Sequence, residues 1–381
     1  MSQDPFTYVV YTILPFIFIS LSLFDNKLNS TPSKKWKSIS GLITFLLIFL
    51  FVFFVGLRFE VGRDYKGYSQ WYQQLVHTGK FPVDNDFGFI SLNELLNWLN
   101  AETFILFLII AFLQIYFLLK STEPIKRLRP LVFFFFFTLL LFFTSMNAMR
   151  QTLVFFIFVY SINVYNEKNY LKFFLLILIG FSFHKTILIP LIILPLIHYK
   201  WYGSRVFQFG ILTLSSWFLP MFFNSLLEIV SPVINLLGYS YYLENIDYMQ
   251  EISDELKRGD GTSYILFFLI DTLIIFLSDK LSETYSTKLF KQFYGYFFIG
   301  LILSRLFADN FILARIADYF IFFRVFILSY LTFYIFRIDE TKFQKIHVPL
   351  LTVFLIGLIA FYYKAIYNNA ADVAPFKFIF S

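Results

Sequence analysis

Along most of the chain the apolar positions do not alternate with polar ones. They run together in blocks, and short charged stretches separate the blocks. A helix needs about 20 mostly apolar residues to cross a bilayer, which predicts roughly twelve candidate spans here. They start near Thr7, Ile39, Phe104, Pro130, Thr152, Tyr170, Thr186, Val206, Ser263, Gln292, Asp318 and Val348. Two longer polar segments, 58–103 and 224–262, interrupt the pattern. The first mixes Tyr68, Trp71, Tyr72 and Trp98 with polar residues, and the second does so with Tyr239, Tyr241 and Tyr242. Such mixing predicts amphipathic helices that lie on the membrane or cap a cavity. The predicted fold class is all-α: a polytopic membrane protein with one integral domain, residues 1–381, carrying those two segments on one side.

Composition agrees. Hydrophobic residues make up 58% of the chain and charged residues 15%, with a mean hydropathy of +0.69. A soluble domain is about half apolar and about a quarter charged, so lipid is the expected solvent. The first apolar run lacks a basic n-region and an A-x-A site, and is predicted to be a retained helix rather than a signal peptide. There is no cysteine, which excludes disulfides, zinc–thiolate sites and thiol nucleophiles.

The net charge of +6 would suggest a nucleic-acid partner in a soluble protein. Here its distribution gives a better account, and no nucleic acid is expected. Lys27, Lys34, Lys35 and Lys37 cluster in the predicted loop Asp25–Ser38, and Lys120, Lys126, Arg127 and Arg129 follow the third span. Every second loop after that is also basic: Lys168 and Lys172; Lys200 and Arg205; Lys280, Lys288 and Lys291; Arg337, Lys342 and Lys345. The positive-inside rule makes these loops cytoplasmic and puts both termini outside. The alternate segments are acidic. Segment 58–103 holds Glu60, Asp64, Asp84, Asp86, Glu94 and Glu102, and segment 224–262 holds seven acids against Lys257 and Arg258.

Ionisable residues at membrane depth are expensive and mark function by default. Five places qualify. Gly56-Leu57-Arg58-Phe59-Glu60-Val61-Gly62-Arg63-Asp64-Tyr65 ends the second span, and its two arginines beside a carboxylate suit phosphate binding next to a base. Ser145-Met146-Asn147-Ala148-Met149-Arg150-Gln151 sets a cation and two amides between short apolar runs; a snorkelling interfacial Arg is the plain alternative. His184-Lys185 falls in a short turn, and like-charge repulsion from Lys185 disfavours an imidazolium. Arg305 and Asp309, and Arg315 and Asp318, have spacings that also fit simple helical salt bridges. Arg324 lies roughly 13 Å further along the last of these helices at 1.5 Å per residue, with Asp271 as its expected counter-charge. No H-E-x-x-H, Walker A or G-x-S-x-G sequence is present, so ATP is not the fuel, and neither a metal nor a cofactor is expected.

At these same residues the chain resembles the EpsG family, a branch of the Wzy-type polysaccharide polymerases. Gly56-Leu57-Arg58 with Gly62-Arg63-Asp64-Tyr65 and Tyr68, Asn147-Ala148-Met149-Arg150-Gln151, Phe183-His184-Lys185-Thr186, and Arg315-Ile316-Ala317-Asp318-Tyr319-Phe320 carry the likeness. Ala374-Pro375-Phe376-Lys377-Phe378 resembles the family's terminal aromatic–proline patch. The resemblance implies a helical glycosyltransferase of the GT-C type in the bacterial inner membrane, its site facing the periplasm. It would transfer the growing glycan from undecaprenyl pyrophosphate to a new lipid-linked repeat unit; co-polymerase partners that regulate chain length are typical of the pathway.

Within that scheme Arg150 and Arg315, with Arg58 assisting, are expected to hold the donor pyrophosphate. His184 is the expected base and Asp64 the orienter of the acceptor. Arg63, Tyr65, Asn147, Gln151, Lys185, Arg305, Asp318 and Arg324 are the expected substrate-binding set. A lipid-linked oligosaccharide flippase is the main competing function, because it too needs cations in a central cavity. An O-antigen ligase-like enzyme and a membrane O-acyltransferase follow.

Overall fold

The computed structural model describes residues 4–29, 34–82, 86–195, 197, 202–218, 228, 231–232, 235, 261–307, 311–337 and 341–380. Nearly all of the predicted outer segment 224–262 lies outside the described residues. Helix dominates, and among the described residues the only β pairing is an isolated antiparallel bridge between Arg58 and Phe378. The chain divides into two compact units, Met1–Ile187 with Leu358–Ser381, and Leu188–Gly357.

Five described helices are long and apolar enough to cross a membrane: Pro5–Asn29, Trp36–Gly56, Thr103–Ser121, Ile316–Arg337 and Phe343–Tyr367. A bent pair, Glu123–Thr138 with Leu141–Asn147, makes a sixth if counted as one broken span. The protein is therefore polytopic and membrane-embedded. The count of twelve is not reached among the described residues, because several predicted spans are too short. Tyr170–Phe183 and Thr262–Phe276 have 14 and 15 residues, and the block predicted from Thr186 becomes a single turn, Lys185–Ile187, followed by the six-residue helix Leu188–Ile193.

In the first unit, α1 (Pro5–Asn29) and α2 (Lys34–Phe51, extended by a wide turn to Gly56) form an antiparallel pair. The predicted basic loop Asp25–Ser38 is accordingly much shorter than expected. Asp25 sits inside α1, 1% exposed, with Lys126 Nζ at 3.1 Å and Arg129 Nη1 at 3.5 Å. The polar segment then folds as α3 (Tyr65–Thr78) and α4 (Phe87–Trp98). Tyr65, Tyr68, Tyr72 and Leu75 are the buried stripe of α3, at the three- and four-residue spacing of an amphipathic helix, so that expectation holds for the first segment. Next come α5 (Thr103–Ser121), α6 (Arg129–Thr138), α7 (Leu141–Asn147), α8 (Met149–Asn166) and α9 (Tyr170–Phe183). α8 is the buried axis of the unit, with Leu153 to Val159 all below 1% exposure, and it packs against α5 and α9.

The second unit holds α10 (Leu188–Ile193), α11 (Arg205–Phe218), α12 (Thr262–Phe276), α13 (Ser278–Thr284), α14 (Lys288–Leu306), α15 (Phe311–Ile321), α16 (Arg324–Arg337) and the start of α17 (Thr341–Tyr367). Stacked rings of Tyr296 and Phe323, 4.8 Å apart, join α14 to the break between α15 and α16.

Candidate functional site

The first motif ends the second span at Gly56, as expected, and runs on as a loop to the start of α3 at Tyr65. Gly62 has φ +99°, a conformation that glycine adopts without a Cβ penalty, and the loop pairs with the segment after α17. Phe59 N–H donates to Lys377 O at 2.9 Å, Gly62 N–H to Asp372 O at 2.7 Å and Arg63 N–H to Ala371 O at 3.1 Å. Arg63 itself meets Asp372 at 3.2 Å on a half-exposed surface. The aromatic–proline patch is thus a backbone partner of the first motif, with Phe376 and Phe378 buried against Phe53 and Phe54.

Arg58 turns inward. It is 1% exposed, and its guanidinium lies over the stacked rings of Tyr65 and Phe107. Nε donates to Val61 O at 3.1 Å, Nη2 to Met146 O at 2.7 Å and Nη1 to Val55 O. Burial lowers its pKa to about 10, so it stays charged at neutral pH. Backbone carbonyls therefore occupy all three nitrogens of the side chain expected to assist in binding pyrophosphate.

Of these carbonyls, Met146 O is available because a helix breaks. Leu140, at φ +62°, separates α6 from α7, and Ala148 separates α7 from α8. A break inside an apolar core strands backbone groups that must find partners. Arg58 takes Met146 O. Gln114, fully buried on α5, donates its amide to Ser145 O at 3.0 Å and to Met149 O at 2.9 Å. Asn147 Nδ2 holds Phe143 O at 2.9 Å, while its Oδ1 accepts the Asp64 N–H at 3.4 Å and lies 3.1 Å from where a Cβ on Gly62 would stand. The first and second motifs are one packed junction, and its product is the start of α8, where Arg150 and the buried Gln151 emerge.

Arg150 lies under an aromatic collar. Its guanidinium carbon is 4.9 Å from the Phe89 ring centroid, 5.9 Å from Tyr68 and 6.0 Å from Trp71. Nη1 is 3.4 Å from Asp86 Oδ2, and both side chains are nearly buried, 12% and 11% exposed. Asp86 Oδ1 accepts the Lys185 N–H at 3.2 Å. The second and third motifs therefore meet on one carboxylate. The third is a turn: His184 is extended at the end of α9, and its Nδ1 lies 2.8 Å from Thr186 Oγ1 and 3.5 Å from Thr186 N. α4 comes this close to α9 because Gly88 has no side chain; a Cβ there would stand 2.3 Å from Ser182 Oγ and 2.9 Å from its carbonyl oxygen. Asp86 and Gln114 were not singled out from the sequence. Asp86 was one acid among six in its segment, and Gln114 is a lone amide in an apolar block, a depth at which only ionisable groups draw notice.

The second unit holds the remaining expected residues. Arg324 opens α16 and meets Asp271 of α12 in a two-pronged pair, Nε–Oδ1 at 2.9 Å and Nη2–Oδ2 at 2.7 Å, as expected from the sequence. Arg305, in the last turn of α14, feels the charges of both. Asp318 is half-buried on α15. Arg315 lies on the same helix, but its side chain is outside the described residues, as is Asp309.

Taken together, these observations define a helical membrane protein that buries a guanidinium–carboxylate pair under aromatic rings, beside a histidine turn. The family model for the EpsG family matches residues 41–378, nearly the whole chain. The chain belongs to the EpsG family, whose members are polysaccharide polymerase-like. No curated protein and no solved structure matches it.

Proposed function

We propose that the protein is a glycosyltransferase that polymerises lipid-linked oligosaccharide repeat units. The growing chain leaves undecaprenyl pyrophosphate and is joined to a new lipid-linked unit, without a metal, on the outer side of the inner membrane. A GT-C-like body of about twelve spans with both termini outside goes with this proposal. The observation that carries it is Arg150: a nearly buried guanidinium, ringed by Tyr68, Trp71 and Phe89 and adjoining the His184-Lys185 turn, in a chain of the EpsG family.

The chemistry follows from the leaving group. When the bond between the anomeric carbon and the pyrophosphate oxygen breaks, negative charge grows on the pyrophosphate. A forked guanidinium stabilises that charge by paired hydrogen bonds, more strongly where water is scarce. Aromatic faces beside it suit the apolar faces of sugar rings. Arg150 is the anchor in this scheme, with Lys185 near it and Arg315 as a second anchor on the strength of its motif. Arg58 supports the junction that presents Arg150, since its donors are already taken by carbonyls.

The test is a deletion strain whose surface glycan is separated on a gel. The proposal expects single repeat units on the final acceptor, restored to long chains by the wild-type chain and not by Arg150→Ala. Long chains left on the lipid carrier would instead indicate a ligase, and a loss of outward-facing lipid-linked units would indicate a flippase.

A further inference from the structure

Asp86 belongs to none of the four motifs, yet it touches two of them. It stands immediately before α4, extended at φ −66° and ψ 128°, and its carbonyl accepts the Phe89 and Ile90 N–H groups at 3.1 and 3.2 Å. The start of α4 thereby fixes its backbone. Its carboxylate points to Arg150 with one oxygen and to the Lys185 N–H with the other. The titratable groups of the elements around it, among the described residues, are Arg150 from α8, His184 and Lys185 from the turn after α9, and Tyr68 from α3, whose ring packs on Phe89.

The pairing with Arg150 is loose. A charge-assisted N–H···O bond usually closes to about 2.7–2.9 Å, whereas this one stands at 3.4 Å. A diphosphate offers the guanidinium two adjacent charged oxygens, so it competes well with a single carboxylate oxygen. Once Arg150 is displaced, Asp86 stands beside the leaving group, still held by the Lys185 N–H. Burial raises its pKa above the ordinary carboxylate range, and Arg150 offsets this only in part, which makes it a better proton acceptor than an exposed acid.

The two carboxylate and imidazole groups expected from the sequence are less suited. Asp64 is anchored to Asn147 through its main chain and is more open to solvent. His184 Nδ1 is already engaged within its own turn, 2.8 Å from Thr186 Oγ1 and 3.5 Å from Thr186 N.

Building on the polymerase reading, we propose that Asp86 is the general base of the transfer, screened by Arg150 in the substrate-free chain and released when pyrophosphate takes the guanidinium. In the step, the acceptor hydroxyl gives its proton to Asp86 as its oxygen bonds the anomeric carbon. The carbon–oxygen bond to pyrophosphate breaks, its electron pair leaves with the pyrophosphate, and Arg150 holds the added charge. The proton on Asp86 then passes to water.

The experiment uses the purified full chain and lipid-linked units extracted from the deletion strain, with product length read on a gel. Wild type should lose rate as pH falls through an apparent pKa above that of a free carboxylate. Asp86→Asn should lower kcat by about 10²–10⁴-fold with little change in KM and abolish the acid limb. Asp86→Ala should regain rate on addition of formate, which a merely structural loss would not do. His184→Gln should keep the limb. An Asp86→Asn chain of wild-type melting temperature that keeps its kcat and its acid limb would overturn the assignment. If Asp86→Ala fails to fold, the isosteric Asn variant and its pH profile decide. A wild-type chain that lengthens no glycan from these units sinks the polymerase reading itself, which is a different failure.

Discussion

Replacing Arg58 with Met separates a structural arginine from a substrate-binding one. Met keeps the approximate length of the side chain over Tyr65 and Phe107 but removes the guanidinium. Three carbonyls, Val55 O, Val61 O and Met146 O, then lose their donor in a site that is 1% exposed. Each hydrogen bond to a charged donor contributes about 1.5–3 kcal/mol. Relief from burying the cation offsets part of that, so the net loss should be about 3–5 kcal/mol, as for one partner removed from a buried charged network. Against a total stability of about 5–15 kcal/mol, that is enough to lower the melting temperature and the amount of folded protein in membranes. Arg58→Lys should lie between, because one ammonium cannot reach all three carbonyls in the guanidinium's fork. The assay is thermal unfolding of the detergent-purified chain, alongside immunoblots of membranes. An Arg58→Met chain with unchanged melting temperature and abundance but no activity would refute the reasoning and restore Arg58 as a substrate ligand.

Arg150→Ala at equal protein levels should shorten glycan chains sharply, with a loss of about ten- to a hundredfold for one charge-assisted anchor, and Arg150→Lys should rescue it only in part; near-normal chain length would remove Arg150 from the site. In the second unit, Arg324→Met should destabilise the protein by removing the guanidinium paired with buried Asp271, while the double change with Asp271→Leu should recover stability, measured by thermal unfolding; equal loss in the single and double variants would show that the pair is not coupled. Reporter fusions after Lys345 should report cytoplasm and those after Asp254 periplasm, and the reverse at either site would refute the orientation.

Hydropathy alone determined the solvent. Blocks of apolar residues cannot be hidden in a soluble core of this size, and five described helices are long and apolar enough to cross a membrane; the mixing of aromatic and polar residues in segment 58–103 pointed to the amphipathic helix that buries Tyr65, Tyr68, Tyr72 and Leu75. The rarity of charge inside apolar blocks made Arg324 and Asp271 stand out and pointed to their pairing, because a lone charge at that depth is too costly. The residue types of the four motifs also located Arg150 and the His184-Lys185 turn.

Tertiary structure decided the rest. The α6–α7 break falls at Leu140, between apolar residues with no Gly or Pro to announce it, so an uninterrupted hydrophobic run concealed a broken helix. In lipid, where every face of a helix is apolar, periodicity does not say which face packs inward, and the direction of Arg58 could not be read from its neighbours. Asp86 lies 64 residues from Arg150 and 99 from Lys185, separations over which no local pattern operates. Only the approach of α4 to α9 at Gly88 brings that one carboxylate, of the six in its segment, against the cation that the sequence had already marked.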